Sequence, residues 1–209
     1  MACSSVNFRP EYETGGKKRS LTRINRIGLG EGPKGENVVD AGQESPTLHD
    51  HPAVRRVRAA LEAAGVAPHI TVMREATHTA QAAAEALGIT VAEIAKSIIF
   101  KAADQRAVLV ITSGANRVDR KKVEAAIGQA VGKADADFVR AATGFVIGGV
   151  APVAHEEPPV VLMDRDLLKF AAVWPAAGHP NTMFRIAPDQ LQRASRATLA
   201  DVAERPEEI

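Results

Sequence analysis

Gly144-Phe-Val-Ile-Gly-Gly-Val-Ala-Pro-Val-Ala-His155 is the stretch whose reading decides the fold. Two glycines, Gly148 and Gly149, follow an apolar run, and Pro152 comes three residues after the second. Glycine admits positive φ and lets a backbone approach a ligand with no Cβ in the way. Pro152 fixes its own φ and biases Ala151 away from the helical region, so the turn does not wind into a helix. A loop of this kind can aim the N–H groups of Gly148, Gly149, Val150 and Ala151 at one point, where they would hold a carbonyl oxygen or an oxyanion. It can equally be a tight turn between strands with no ligand. The five residues alone do not decide between the two.

Working outward, the chain before the loop alternates short helical and extended patterns. Residues 53–64 read as a helix with Val54, Val57, Ala60 and Leu61 on one face and arginines opposite, stopped by Gly65. His69–Met73 reads as a strand, and Thr77 or Thr79 caps a helix over Ala80–Leu87 that Gly88 ends. Ile94–Ala102 and Ala107–Thr112 flank the polar break Asp104-Gln105, which makes them a hairpin. Asp119 and Asp135 are N-caps for two short helices, through Ala126 and Ala142. Beyond the loop, Val160–Met163, Leu167–Trp174 and Thr182–Ile186 read as extended, and Pro188 opens a last helix. Helices and strands interleave without a repeating βαβ unit. The expected class is therefore α+β: a single domain with a central mixed, largely antiparallel sheet flanked by short helices.

Residues 1–48 differ in character from the rest. They carry 7 of the 16 glycines and, between Gly15 and Gly30, five cations with no acidic residue. They read as a disordered leader, with a basic arm that touches RNA as the alternative. Residues 49–204 form the expected domain and 205–209 a frayed acidic tail. The net charge of +1 over 209 residues gives no whole-molecule case for a polyanionic partner, so any such contact would be local. One cysteine, Cys3, excludes an internal disulfide. No window suits a membrane span and no signal peptide is evident, so a membrane partner is not expected and the cytoplasm is the default location.

Lys96 is the unusual polar position, set among Ile94, Ala95, Ile98, Ile99 and Phe100. Strand alternation puts it with Ile94, Ile98 and Phe100, on the face expected to be the more buried. A buried lysine costs several kcal/mol unless it is paired or opens into a polar cleft. It either meets a phosphate or carboxylate at a pocket rim, or snorkels to water. His179, in Gly178-His-Pro-Asn181, is a pocket wall or a turn histidine, and His155 reads as exposed and structural. No histidine, cysteine or carboxylate set has metal-ligand spacing, so neither a metal nor a cofactor is expected. Walker A, GxGxxG and GxSxG patterns are absent, and Ser97 and Ser113 have no base evident in the sequence.

Together, Gly88-Ile89, Ile94-Ala-Lys96-Ser-Ile-Ile-Phe-Lys101 and Gly148-Gly-Val-Ala-Pro152-Val resemble the YbaK family. That family comprises the editing insertion of bacterial prolyl-tRNA synthetase and free-standing ProXp-like relatives. The similarity runs from about Pro52 to Ala203, and Ala177–Phe184 resembles the free-standing members more. The resemblance implies a trans-editing deacylase that hydrolyses the ester of a mischarged tRNA, with tRNA(Pro) or a related tRNA bearing a small wrong amino acid as substrate. It implies that Lys96 lies near the acceptor end of the aminoacyl-tRNA and that Gly148 and Pro152 are the first and last residues of a GxxxP loop. His179 matches a pocket histidine of some members. Met73, Phe100, Ile147, Val150 and His179 are the expected pocket walls. A cognate aminoacyl-tRNA synthetase is a possible further partner, and a monomer is the favoured state. A non-catalytic module binding tRNA or a synthetase is the alternative, and a small-molecule binder the third. One departure is Ala154, where many free-standing members carry glycine, a change expected to narrow the pocket or alter how the loop opens.

Overall fold

The computed structural model describes residues 47–73 and 79–205. Most of the expected leader, the Thr77 cap and the tail beyond Arg205 lie outside the described residues. Helix α1 (Pro52–Ala63) buries Val54, Val57 and Leu61, and starts where His51 Nδ1 accepts from the Ala53 N–H. Strand β1 (His69–Val72) precedes α2 (Ala80–Leu87), which Thr79 caps by accepting from the Ala82 N–H. A 3-10 turn at Val91–Glu93 leads into β2 (Ile94–Ala102) and then β3 (Ala107–Ser113). The remaining elements are α3 (Arg120–Ile127), β4 (Val131–Lys133), α4 (Ala136–Thr143), β5 (Val160–Asp164), β6 (Trp174–Pro175), β7 (Thr182–Arg185), α5 (Pro188–Ser195) and β8 (Thr198–Ala200). Asp119 and Asp135 cap α3 and α4 as the sequence predicts. Among the described residues no helix is long and apolar enough to cross a membrane.

The α+β expectation holds. A six-stranded mixed sheet runs β4-β2-β3-β5-β8, with β6 also on β2. Its centre is the antiparallel β2–β3 hairpin, in register from Ala95 opposite Ser113 to Lys101 opposite Ala107. Strand β3 is buried along its whole length, which suits its continuous apolar run. Strands β1 and β7 form a separate antiparallel pair. The main core gathers α1, one face of the sheet, Phe145, Val150 and Ala151.

Three readings change. Residues 167–174 are not a strand: a 3-10 turn spans Arg165–Lys169 and only Trp174–Pro175 is extended. Asp164 accepts from the Asp166 N–H to start that turn, and Leu167 and Phe170, three apart, both face the core. Strands β4 and β8 have three residues each, too few to show a period. The face of β2 opposite Lys96, carrying Ala95 and Ile99, packs on the main core, while Phe100 packs on a smaller cluster. Both faces are covered, so alternation does not rank them.

The edge of β2 away from β3 is interrupted. Strand β6 pairs with Ile94 and Ala95, and β4 with Phe100, Lys101 and Ala102, so among the described residues no strand covers residues 96–99 there. The Ile94 carbonyl and the Ala102 N–H bond toward the β3 side. By alternation, Ser97 and Ile99 turn their N–H and C=O to the open edge.

The segment Gly144–His155 closes over this region as a compact loop whose two ends are held together. The Glu157 N–H donates to the Ala142 carbonyl at 3.0 Å. Arg56, from α1, donates to the Thr143 carbonyl at 3.1 Å, pairs with Glu156, and lies 4.6 Å over the Phe145 ring. His155 is not an exposed bystander: its Nε2 donates to the Ala151 carbonyl at 2.8 Å, and its ring meets Phe145 edge-on at 5.9 Å. Ala154 has φ of 64°, the left-handed region that glycine occupies without strain, and it lines neither of the hollows described below. Its departure from glycine therefore puts a left-handed φ on a residue with a Cβ, at a position away from the walls of both hollows.

Arg56→Ala is expected to lower unfolding stability by about 2 kcal/mol, chiefly through the charged bond to Thr143 and the ring contact. Its half-exposed pair with Glu156 adds little. A chemical denaturation midpoint unchanged from the parent would refute the clip. Burial holds the His155 imidazole below its ordinary pKa, the bond to Ala151 opposes this, and the Arg56 charge adds to the lowering. The unfolded chain therefore takes up the proton first. Stability should fall as pH drops from about 6.5 toward the lower folded value. His155→Gln should flatten part of that fall in a pH series of melts, with His179, also lowered by burial and then by His51, supplying a remainder.

Candidate active site

At the open edge of β2 lies a hollow of ≈ 220 Å³. Lys96, Ser97 and Ile98 border it from the strand, Gly148 and Val150 from the loop, and Ala83 and Met183 close it behind. A second hollow, ≈ 400 Å³, shares Ser97, Ile98, Gly148 and Val150 and continues past Phe100 and Ile147 to Arg120 and Lys133. The two flank the loop on either side of Gly148. Because they sit off the edge of the strand, residues of both parities border them.

Lys96 and the glycine loop thus share a cavity, as the sequence suggests. The Lys96 ammonium donates to the Asn116 carbonyl at 2.7 Å. Asn116 is itself held: its side-chain amide donates to Asp164 and to Asp166, each at 2.8 Å. Thr112 also donates to Asp164, which is fully buried, and Arg205 and Lys169 pair with Asp166. Burial lowers the Lys96 pKa, and the Asp164 charge partly restores it. The ion pairs with Arg205 and Lys169 hold the Asp166 carboxyl far below the usual carboxylate range. The lysine is therefore anchored rather than snorkelling freely.

The loop residues divide by role. Gly148 has φ of 88°, is exposed and faces both hollows, as does Val150. Gly149 turns inward: its N–H donates to the Val146 carbonyl at 2.9 Å, which removes it from the expected set of oxyanion donors. A Cβ on Gly149 would stand 2.9 Å from the His179 backbone, so this glycine is required by close approach. Ala151 and Pro152 are buried behind the loop and line neither hollow.

His179 and Met73 are likewise not wall residues among those described. The His179 ring lies 5.2 Å from that of His51, and its Nδ1 accepts from the Asn181 N–H. Pro180, its neighbour, forms the wall instead. Met73 is buried and its N–H donates to the Asn181 carbonyl. Phe100 and Ile147 do line the second hollow. Sequence reasoning missed Arg56, Asn116, Arg120 and Lys133, none of which stands out from its neighbours in the chain. Ser97 was visible only as a serine without a base. Its hydroxyl is buried with no hydrogen-bond partner. Among the described residues no group of three or more histidine, cysteine, aspartate or glutamate side chains could hold a metal ion.

Comparison with known proteins bears on this arrangement. Residues 74–194 match the family model of the aminoacyl-tRNA editing domain. The chain is 30% identical over 126 residues to the uncharacterized protein YwhH of Bacillus subtilis (strain 168), covering 60% of this chain and 80% of that one. A crystal structure of a proposed trans-editing enzyme for prolyl-tRNA synthetase is 39% identical, with TM-score 0.70, over 74% of this chain and 98% of that one. The hypothetical protein APE2540 is 31% identical, with TM-score 0.67, over 71% of this chain and 99% of that one. The matched span contains both hollows, the lysine strand and the whole glycine loop, and the fold is that of these YbaK-like neighbours: the chain belongs to the aminoacyl-tRNA editing domain family.

Proposed function

We propose that this protein is a trans-editing deacylase that hydrolyses the ester of a mischarged aminoacyl-tRNA, with tRNA(Pro) or a related tRNA carrying a small non-cognate amino acid as substrate. The observation that carries this reading is the meeting of Lys96 and the Gly148–Val150 backbone on one small hollow at a gap in the sheet edge. The N–H groups of Gly148 and Val150 are the candidates for the developing oxyanion, and one well-placed donor of this kind is worth roughly 2.7–4 kcal/mol. Lys96 acts as a point charge toward a phosphate or the ester end of the RNA, held in position by Asn116. Water, or the free hydroxyl of the terminal ribose, is the nucleophile. Arg120 and Lys133 supply local cations for the RNA backbone on a chain of net charge +1.

A second hydrolytic site makes physical sense where a synthetase pocket must reject an amino acid smaller by a methylene, a difference worth only about 1–3 kcal/mol. Walls of Ala80, Ala83, Ala176 and Pro180 suit a small side chain. A cytoplasmic location and action beside a cognate synthetase belong to the same reading. The non-catalytic alternative gains nothing from Ala154, which stays out of the hollow.

Lys96→Ala should cut deacylation of a mischarged tRNA about 100-fold or more while leaving the melting temperature near the parent's, because its loss is one of position. A well-folded variant of full activity would sink the role given to Lys96. Gly149→Ala forces the loop off the His179 backbone. A displacement near 1 Å there should cost roughly 100-fold in rate. Single-turnover release of free amino acid from a panel of mischarged tRNAs measures both.

A further inference from the structure

Resting on the deacylase reading, we propose that Ser97 is a positioning residue that binds the α-ammonium group of the aminoacyl moiety, together with a main-chain carbonyl on the open edge of β2. The Ser97 hydroxyl is buried and has no hydrogen-bond partner, although the residue borders both hollows. A buried hydroxyl left unpaired is destabilising, a cost that a ligand group removes. Alternation places the Ser97 side chain with Ala95 and Ile99, the face covered by the cluster that includes Val150. Lys96 leaves the strand on the other face and anchors on Asn116. The two residues therefore approach one cavity from opposite sides of the strand.

An aminoacyl ester presents two polar ends to such a site: the ester with its ribose and phosphate, and the ammonium next to the carbonyl carbon. The anionic end suits Lys96, and the same charge repels the ammonium. Among the described residues neither hollow is lined by a carboxylate. Acceptors for the ammonium must come from hydroxyl and carbonyl oxygens. Among the described residues the other hydroxyl on the first hollow, that of Thr79, already accepts from the Ala82 N–H at the start of α2. The Ser97 hydroxyl is unengaged, and its own carbonyl and that of Ile99 face the strand edge where, among the described residues, no ladder partner exists. A hydroxyl and a carbonyl on adjacent atoms of one strand form a two-point acceptor for a cation.

The test uses the full chain and two non-hydrolysable probes, 3′-deoxy-3′-(L-alanylamino)adenosine and its L-lactoylamino counterpart, which differ only in ammonium against hydroxyl. Titration calorimetry near pH 6.5 keeps the amine charged. The parent should bind the alanyl probe about tenfold more tightly than the lactoyl probe. Ser97→Ala should bring that ratio close to one by weakening the alanyl probe alone, and Ser97→Thr should retain the preference. A ratio unchanged in Ser97→Ala overturns the assignment. So does equal weakening of both probes, which would put the hydroxyl on the ribose or the ester carbonyl. Binding of neither probe by the well-folded parent also overturns it; release of amino acid from mischarged tRNA, measured in parallel, then decides separately whether the deacylase reading stands.

Discussion

A strand interior is costly to leave half-paired, because each bare N–H and C=O must find water or another partner. Strand β2 accepts that condition over residues 96–99, between the end of β6 at Ala95 and the end of β4, where Lys133 lies opposite Phe100. Everything else about the site follows from this gap. It opens a notch in the sheet large enough for a ligand, and it presents backbone acceptors and donors without any side chain being asked to supply them. It also explains why residues of both parities reach the same space.

The gap would be an exposed sheet edge were it not roofed by the loop between α4 and β5. That loop is held as a closed unit: Glu157 to Ala142 at its ends, Arg56 across its neck, and His155 to Ala151 within it. Loops clamped in this way lose their ordering entropy once, on folding, rather than on each encounter with a ligand. The strained φ of Ala154 and the inward N–H of Gly149 are local consequences of the same closure. Lys96 is treated similarly. Its anchor, the Asn116 carbonyl, is fixed by two carboxylates that are themselves paired or buried, so the ammonium has one place to sit.

Much of this was legible because it is local. The hairpin of β2 and β3 announced itself by two apolar runs around Asp104-Gln105, and Thr79, Asp119 and Asp135 signalled helix starts through side chains that reach their own backbone. Lys96 stands out in an apolar strand and Gly148 in a glycine turn, but it is the resemblance to the YbaK family that joins them in one site. The gap was not legible. It depends on β6 and β4, of two and three residues, arriving at the same edge from distant parts of the chain. Arg56 was hidden for a related reason: on α1 it looks like any arginine of a solvated face, and only the folded loop gives it three partners. Leu167–Trp174 misled because apolar residues three apart satisfy a short helical turn as well as an extended run.

On the deacylase reading, selection by size would have a mechanical basis on the loop side of the hollow. Gly149 rests directly against the His179 backbone, and Gly178 approaches the Ala53 carbonyl so closely that a Cβ would stand 2.8 Å from it. The loop is therefore backed by main chain that is backed in turn by the start of α1. Main chain in contact with main chain has no rotamer to change, so the loop side of the hollow cannot yield by a side-chain flip, whereas Ile94, Ile98 and Met183 on its other sides can. A wall of flexible side chains yields by degrees; the loop side of this one sets a limit. Below that limit the apolar walls are nearly indifferent to what fills them. Discrimination among small residues must then come from polar groups, and at the open edge of β2 these are few enough to name.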